Sequence, residues 1–271
     1  RGLGDVYKRQ DLDGTLVNEN TSISPKNIEA LKELKKQGHL IALCTGRNFM
    51  EVKELIDCVD FSYDYLILNN GGQILDKNLT TLYEKHIDHE IGVDILKHLT
   101  SYAGMWAYYC DGHVNYGYID GQTINHGAKG KPKIDVDFHQ AYQQASHFQI
   151  IAFNQEDEGI ENTKACYDYI LENYSDSVEA YFNMHFVDVV PKGCSKGSGI
   201  KKLLTLIEED IDEVYAIGDS YNDLSMIQSA DYGYTFIHAH DDIKSQTKRH
   251  VHYVYEVIED MLGGNKDELA R

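Results

Sequence analysis

Apolar and polar positions follow two different rhythms along this chain. The first begins at Ser24-Pro25, where Ser24 is suited to cap a helix and Pro25 to stand at its first helical position. Ile28, Leu31 and Leu34 give that helix an apolar stripe, and Gly38 is placed to stop it. Leu40-Ile41-Ala42-Leu43-Cys44 is a short apolar run of the kind buried in parallel sheets, and it ends in Thr45-Gly46-Arg47. A second helix is predicted over about 48–58. It leads to the run Tyr65-Leu66-Ile67-Leu68, which ends in Asn69-Asn70-Gly71-Gly72. Strands alternating with helices predict an α/β sheet with crossover helices.

The second rhythm starts near residue 85. A helix over 88–101 is followed by strand-like runs at 106–110 and 113–120, separated by Asp111-Gly112, a type I′ hairpin signal. Further strands are predicted at 148–153, 177–182 and 186–190, with a helix over 158–173 among them. These describe antiparallel strands with helices on one side, a separate α+β insert of about 100 residues. Tyr108, Tyr109, Tyr116 and Tyr118 cluster within it, and cross-strand packing is favoured over a pocket lining. From Pro191 the first rhythm returns. Ser195-Lys196-Gly197 opens a helix whose Leu203, Leu204 and Ile207 are expected to face inward. The strand Val214-Tyr215-Ala216-Ile217 then ends in Gly218-Asp219-Ser220-Tyr221-Asn222-Asp223, and a strand at 232–236 and a helix at 253–262 close the pattern.

At 271 residues the chain has room for one large domain or two modest ones. Its formal charge is 25 − 44 = −19, which argues against unspecific binding to nucleic acid or anionic lipid. A chain this acidic that handles phosphate needs local positive charge, from a metal or from a few placed lysines and arginines. No apolar stretch approaches the roughly 18 residues of a membrane span. No charged-then-apolar leader is recognised. Cys44, Cys58, Cys110, Cys166 and Cys194 are scattered and form no C-x-x-C pair, so a reducing, cytoplasmic location is expected rather than a disulfide framework or zinc site.

Candidate chemistry centres on Asp11-Leu12-Asp13-Gly14-Thr15. If residue 11 ends a strand and the chain turns at Gly14, both carboxylates can face one cavity. One aspartate can then attack phosphorus as a nucleophile, and the other can serve as acid and then base. Taken alone the stretch is ambiguous, a polar turn being its plain alternative. A calcium loop is disfavoured, because no alternating run of oxygen ligands with a glutamate at position 12 follows. What strengthens the catalytic reading is recurrence: four strands, found or expected, end in polar residues at Asp11/Asp13, Thr45, Asn70 and Asp219/Asn222/Asp223. In an open parallel sheet those carboxyl ends share one edge, where ligands bind.

With these motifs in that order, residues 11–271 resemble the haloacid dehalogenase-like superfamily, in particular its Cof-type sugar-phosphate phosphatases. The resemblance rests on Asp11-Leu12-Asp13-Gly14-Thr15, Thr45-Gly46-Arg47, Asn70-Gly71, Ser195-Lys196-Gly197 and Gly218 through Asp223. His238 departs from it, standing where such proteins often carry a small or amide residue. The resemblance implies a Rossmann-like parallel-sheet core at 11–84 and 188–271, with an inserted α+β cap domain at 85–187. It implies Asp11 as nucleophile and Asp13 as acid and base. Mg²⁺ would be held by Asp11, Asp13 through its backbone carbonyl, and Asp219. Phosphate contacts would come from Leu12, Thr45, Gly46, Lys196 and Asn222, with Asp223, Arg47 and Asn70 in support. Only 29 residues lie between Thr15 and Thr45, but 150 lie between Thr45 and Lys196, so the cap follows the second motif. The implied activity is hydrolysis of a small phosphorylated metabolite through an aspartyl-phosphate. A phosphotransferase or mutase using the same intermediate is the alternative, followed by a non-catalytic binding protein. Residues 1–10 fit none of this. A central strand should precede Asp11, yet Asp5-Val6-Tyr7-Lys8-Arg9-Gln10 is polar and looks like a translated library-adapter end, so 1–10 are expected to be non-native.

Overall fold

The computed structural model describes residues 23–57, 59–126, 133–156, 159–183 and 185–263. In chain order the first elements are α1 (Pro25–Lys36), β1 (Ala42–Cys44), α2 (Phe49–Ile56), β2 (Tyr65–Leu68), β3 (Gln73–Asp76) and β4 (Thr81–Glu84). There follow β5 (Ile87–Asp88), α3 (His89–Leu99), β6 (Met105–Cys110), β7 (Asn115–Ile119), β8 (Gln122–Asn125) and α4 (Phe138–Gln144). Next come β9 (His147–Phe148), β10 (Ile150–Gln155), α5 (Glu161–Tyr174), β11 (Val178–Asn183) and β12 (Phe186–Pro191). The chain continues through α6 (Lys196–Leu206), β13 (Tyr215–Gly218), α7 (Leu224–Ser229), β14 (Tyr232–Phe236), α8 (Asp241–Ser245), β15 (Arg249–Val251) and α9 (Val254–Gly263). Two compact units result. A core unit holds the described residues up to Arg47, then 55–82 and those from Ser195 onward; a cap unit holds Asn48–Glu54 and Tyr83–Cys194.

In the core unit, α1 forms as the capping signals dictate. The Ser24 hydroxyl accepts from the Asn27 amide at 3.2 Å, and Gly38 takes a φ of +87° just past the helix end. Leu31 and Leu34 are buried. β1 runs parallel to β2, and β13, β14 and β15 run parallel to one another, with the helices as crossovers. Among the described residues these strands form two sheets, β1-β2-β3-β4 and β13-β14-β15, and the first is mixed, because β3 turns back antiparallel to β2. α6 buries Lys196, Gly199 and Leu203, three and four apart on one face, together with Gly197 beside them. Leu204, expected inward, is 39% exposed, since it stands 100° round the helix from Leu203.

The cap unit is built on a six-stranded antiparallel sheet, in the order β11-β12-β10-β6-β7-β8. Alternation along the strands separates its faces. Ala107, Tyr109, Ile151, Phe153, Val187 and Val189 pack with α3, α4 and α5 in one apolar core. Of the four clustered tyrosines, Tyr109, Tyr116 and Tyr118 join that core. Tyr108 projects from the opposite face, its ring tilted 34° against that of His126. The hairpin expected at Asp111-Gly112 exists, but its turn is not type I′, because only Gly112 of the pair has positive φ. Instead the Asp111 carboxylate accepts the N–H groups of His113 and Val114. The two-residue turn with both φ values positive is Asp120-Gly121, between β7 and β8.

Candidate active site

Thr45, Asn69-Asn70, Lys196 and Asp219–Asp223 all lie in the core unit, and the backbone draws them together. The Thr45 amide donates to Ile67 O at 2.9 Å, and the Thr45 hydroxyl accepts from the Arg47 amide at 3.2 Å, fixing a tight turn after β1. The next turn is laid over it: the Asn70 amide donates to Thr45 O at 3.2 Å and the Asn69 amide to Arg47 O at 3.0 Å. This geometry requires consecutive left-handed residues, Asn69 at φ +53°, Asn70 at +49° and Gly71 at +88°. Asparagine tolerates that region better than other side chains, and glycine occupies it freely. A Cβ on Gly71 would lie 2.2 Å from Ser195 O, so α6 can begin where it does only because residue 71 has no side chain.

Lys196 follows Ser195, whose hydroxyl accepts from the Ser198 amide in a reciprocal cap. The lysine is fully buried, and its Nζ lies 2.6 Å from Asp223 Oδ1, itself 3% exposed. Asp223 Oδ2 accepts the amides of Asp219 and Ser220 at 3.0 and 2.9 Å, so one carboxylate shapes the turn after β13 and holds the lysine. The turn needs Gly218, where any Cβ would meet the Asp223 side chain at 2.4 Å. Asn222 Nδ2 donates to Asn70 Oδ1 at 3.2 Å, tying the turn after β13 to the turn after β2. Asp219 is half-buried and its Oδ1 accepts from Ser220 Oγ at 3.0 Å.

The structure therefore brings together Thr45, Gly46, Arg47, Asn70, Lys196, Asp219, Asn222 and Asp223. Asp11, Leu12 and Asp13 lie outside the described residues. The donor chemistry present, a half-buried carboxylate amid hydroxyl and amide oxygens, suits Mg²⁺, which takes hard oxygen ligands. Among the described residues no three His, Cys, Asp or Glu side chains converge as a metal cage, and the other two implied ligands, Asp11 and Asp13, are not among them. Sequence reasoning missed Asn69, whose side chain is 1% exposed and whose polar atoms have no hydrogen-bond partner among the described residues. Gly71 and Gly218 stood within the quoted motifs but were given no role of their own, although two asparagines before two glycines already signal a left-handed turn.

A parallel α/β core with polar residues at the ends of β1, β2 and β13 and a buried Lys–Asp pair beside them is an arrangement suited to holding an anion. The chain belongs to the haloacid dehalogenase-like hydrolase family, whose pattern matches residues 10–256. It is an enzyme of the phosphoric monoester hydrolase class. It is 27% identical over 259 residues to the 5-amino-6-(5-phospho-D-ribitylamino)uracil phosphatase YwtE of Bacillus subtilis strain 168, spanning 88% of this chain and 89% of that one. It is 23% identical to the HMP-PP phosphatase of Serratia proteamaculans, over 87% of this chain and 85% of that one. The fold matches the subclass IIB sugar phosphatase BT4131 with a TM-score of 0.70 at 20% identity, covering 93% of this chain and 96% of that one. Phosphatases of this superfamily generally use Mg²⁺.

Proposed function

We propose that this chain hydrolyses a small phosphorylated metabolite by way of an aspartyl-phosphate on Asp11, with Mg²⁺ at Asp11, Asp13 and Asp219. The observation that carries the reading is Lys196, held fully buried against Asp223 next to the turns that end β1, β2 and β13. A buried cation locked in place at a strand-end edge is an electrostatic site for an anion, and it need not reorganise as charge shifts during reaction. In the proposed sequence a carboxylate oxygen of Asp11 attacks phosphorus while the bond to the leaving oxygen breaks, and Asp13 gives that oxygen its proton. A water then attacks the same phosphorus, Asp13 takes the water's proton, and Asp11 and inorganic phosphate are released. Thr45, the Gly46 and Leu12 amides, Lys196 and Asn222 bind and orient the phosphoryl oxygens, while Asp223 keeps Lys196 aimed and Arg47 and Asn70 support the turns. When bound, Mg²⁺ supplies charge that lets a carboxylate approach a phosphate dianion.

The names of the relatives point to a phosphate ester on a polyol, sugar or pyrimidine alcohol. The test is phosphate release by purified protein with Mg²⁺ against a panel holding 5-amino-6-(5-phospho-D-ribitylamino)uracil, HMP-PP, pentose and hexose phosphates, and a generic aryl phosphate. Chelator should abolish activity and millimolar Mg²⁺ restore it. Asp11→Asn should remove turnover almost entirely. Near wild-type hydrolysis of the aryl phosphate by Asp11→Asn, or full activity in excess chelator, would refute the mechanism.

A further inference from the structure

Arg47 runs without a break into Asn48–Glu54, the segment that belongs to the cap unit. Asn48 and Glu51 cap the start of α2 reciprocally. Asn48 Oδ1 accepts the Glu51 amide at 3.1 Å, and Glu51 Oε2 accepts the Asn48 amide at 3.2 Å and its Nδ2 at 3.1 Å. That alone would finish an ordinary helix end. Here the other carboxylate oxygen, Oε1, lies 2.9 Å from His126 Nε2, with the two side chains only 5% and 4% exposed. His126 is itself held from two further directions. Asn115 Nδ2 donates to His126 O at 2.5 Å, while Asn115 Oδ1 accepts from Asn48 Nδ2 at 3.3 Å. The Tyr108 ring lies over the imidazole, centroids 4.0 Å apart, with Gly117 leaving room for both: a Cβ there would stand 3.1 Å from Tyr108 Cδ1.

Burying a carboxylate and an imidazole to reinforce a helix cap costs desolvation that a surface cap avoids, so its use here calls for a gain in defined geometry. We propose that the Glu51–His126 pair positions the phosphate-binding turn: His126 holds Glu51, Glu51 holds Asn48, and Asn48 sets where α2 begins and hence the path of Thr45-Gly46-Arg47. Neither residue touches phosphate; both act through the backbone of the turn. The inference rests on the reading that this turn binds the phosphoryl group.

The experiment measures binding of inorganic phosphate in the presence of Mg²⁺ by calorimetry, and of the aryl phosphate by steady-state kinetics, well below the unfolding temperature. His126→Leu is expected to weaken phosphate binding at least tenfold and to raise KM for the aryl phosphate by a similar factor. His126→Gln, whose amide can donate to Glu51, should recover most of the loss. A purely structural role would lower the melting temperature and leave phosphate affinity unchanged. That result for a folded His126→Leu overturns the proposal. Should His126→Leu not fold, Asn115→Ser decides: it loosens the same network and should weaken phosphate binding about threefold, and an unchanged affinity overturns the proposal. If the wild-type protein binds no phosphate, the phosphatase reading fails, and this inference with it.

Discussion

Lys196 and Asp223 offer the sharpest quantitative test of the core site. At 2.6 Å, two unit charges attract by about 6 kcal/mol at an effective dielectric of about 20. Taking each ion out of water costs several kcal/mol, so the intact pair comes close to breaking even. Removing one partner is a different matter. In Lys196→Met the buried Asp223 carboxylate must rely on the amides of Asp219 and Ser220, and about 3–5 kcal/mol of stability should be lost. Those two charge-assisted bonds hold the expected value near the lower end, about 3 kcal/mol. In Asp223→Asn one amide oxygen cannot serve both the lysine and the two backbone donors, so a similar loss follows. Combining the two substitutions lets the asparagine oxygen face the amides with no buried ammonium beside it. The double variant should therefore lose less than the sum of the single losses by about 2 kcal/mol or more.

Urea unfolding followed by far-UV circular dichroism reads this directly. With a slope of about 2 kcal/mol/M, Lys196→Met should lower the core transition by about 1.5 M. Tryptophan fluorescence is the wrong probe for the core, because the one tryptophan, Trp106, stands in the cap sheet, and its signal serves as the internal control. A midpoint shift for Lys196→Met under about 0.5 M, roughly 1 kcal/mol on that slope, would refute the argument. Strict additivity in the double-variant cycle would refute it equally.

Gly71→Ala should destabilise by about 2–4 kcal/mol, summing a left-handed alanine and an overpacked contact with Ser195 O, and should cut kcat by displacing Lys196; a variant with wild-type melting and turnover counts against this. Burial pushes the Cys110 and Cys166 thiols up to about 12 and Cys194 to about 11, so none of the three should react with a thiol reagent at pH 8 until the protein unfolds; rapid native labelling identified by mass spectrometry would show otherwise. The same groups ionise more readily unfolded, near pH 9, than folded, so their share of stability is full below pH 9 and is lost between about 9 and 12, a fall that Cys110→Ala should lessen in urea titrations at pH 10. Replacing Asp5-Val6-Tyr7-Lys8-Arg9-Gln10 by an apolar β-forming run should raise stability by several kcal/mol, the scale of burying an unpaired charge; equal or lower stability would speak for the polar segment as native.

Local sequence determined the longer regular elements and the order of the chemical motifs, while short elements such as β3, β4, β8, α4, α7, α8 and β15 carried no pattern that announced them. Ser24-Pro25 before a 3.6-residue stripe can hardly be anything but a helix start, and short apolar runs that end in polar residues announce buried parallel strands with a functional edge. The strand at 232–236 lies where its pattern placed it, and α3, α5 and α9 begin and end within three residues of expectation. Contacts distant in sequence were not legible. No local pattern tells which Asp-Gly pair takes the two-residue turn, because strand register settles that, and Asp111 was captured by its own Asx turn while Asp120 was not. Nor could any pattern show that Leu204 faces out, that Asn222 bonds Asn70 across 152 positions, or that His126 reaches Glu51. A motif fixes which groups are available. Only packing brings residues 70, 196 and 222 into one edge and removes the water that would otherwise weaken the charge on Lys196.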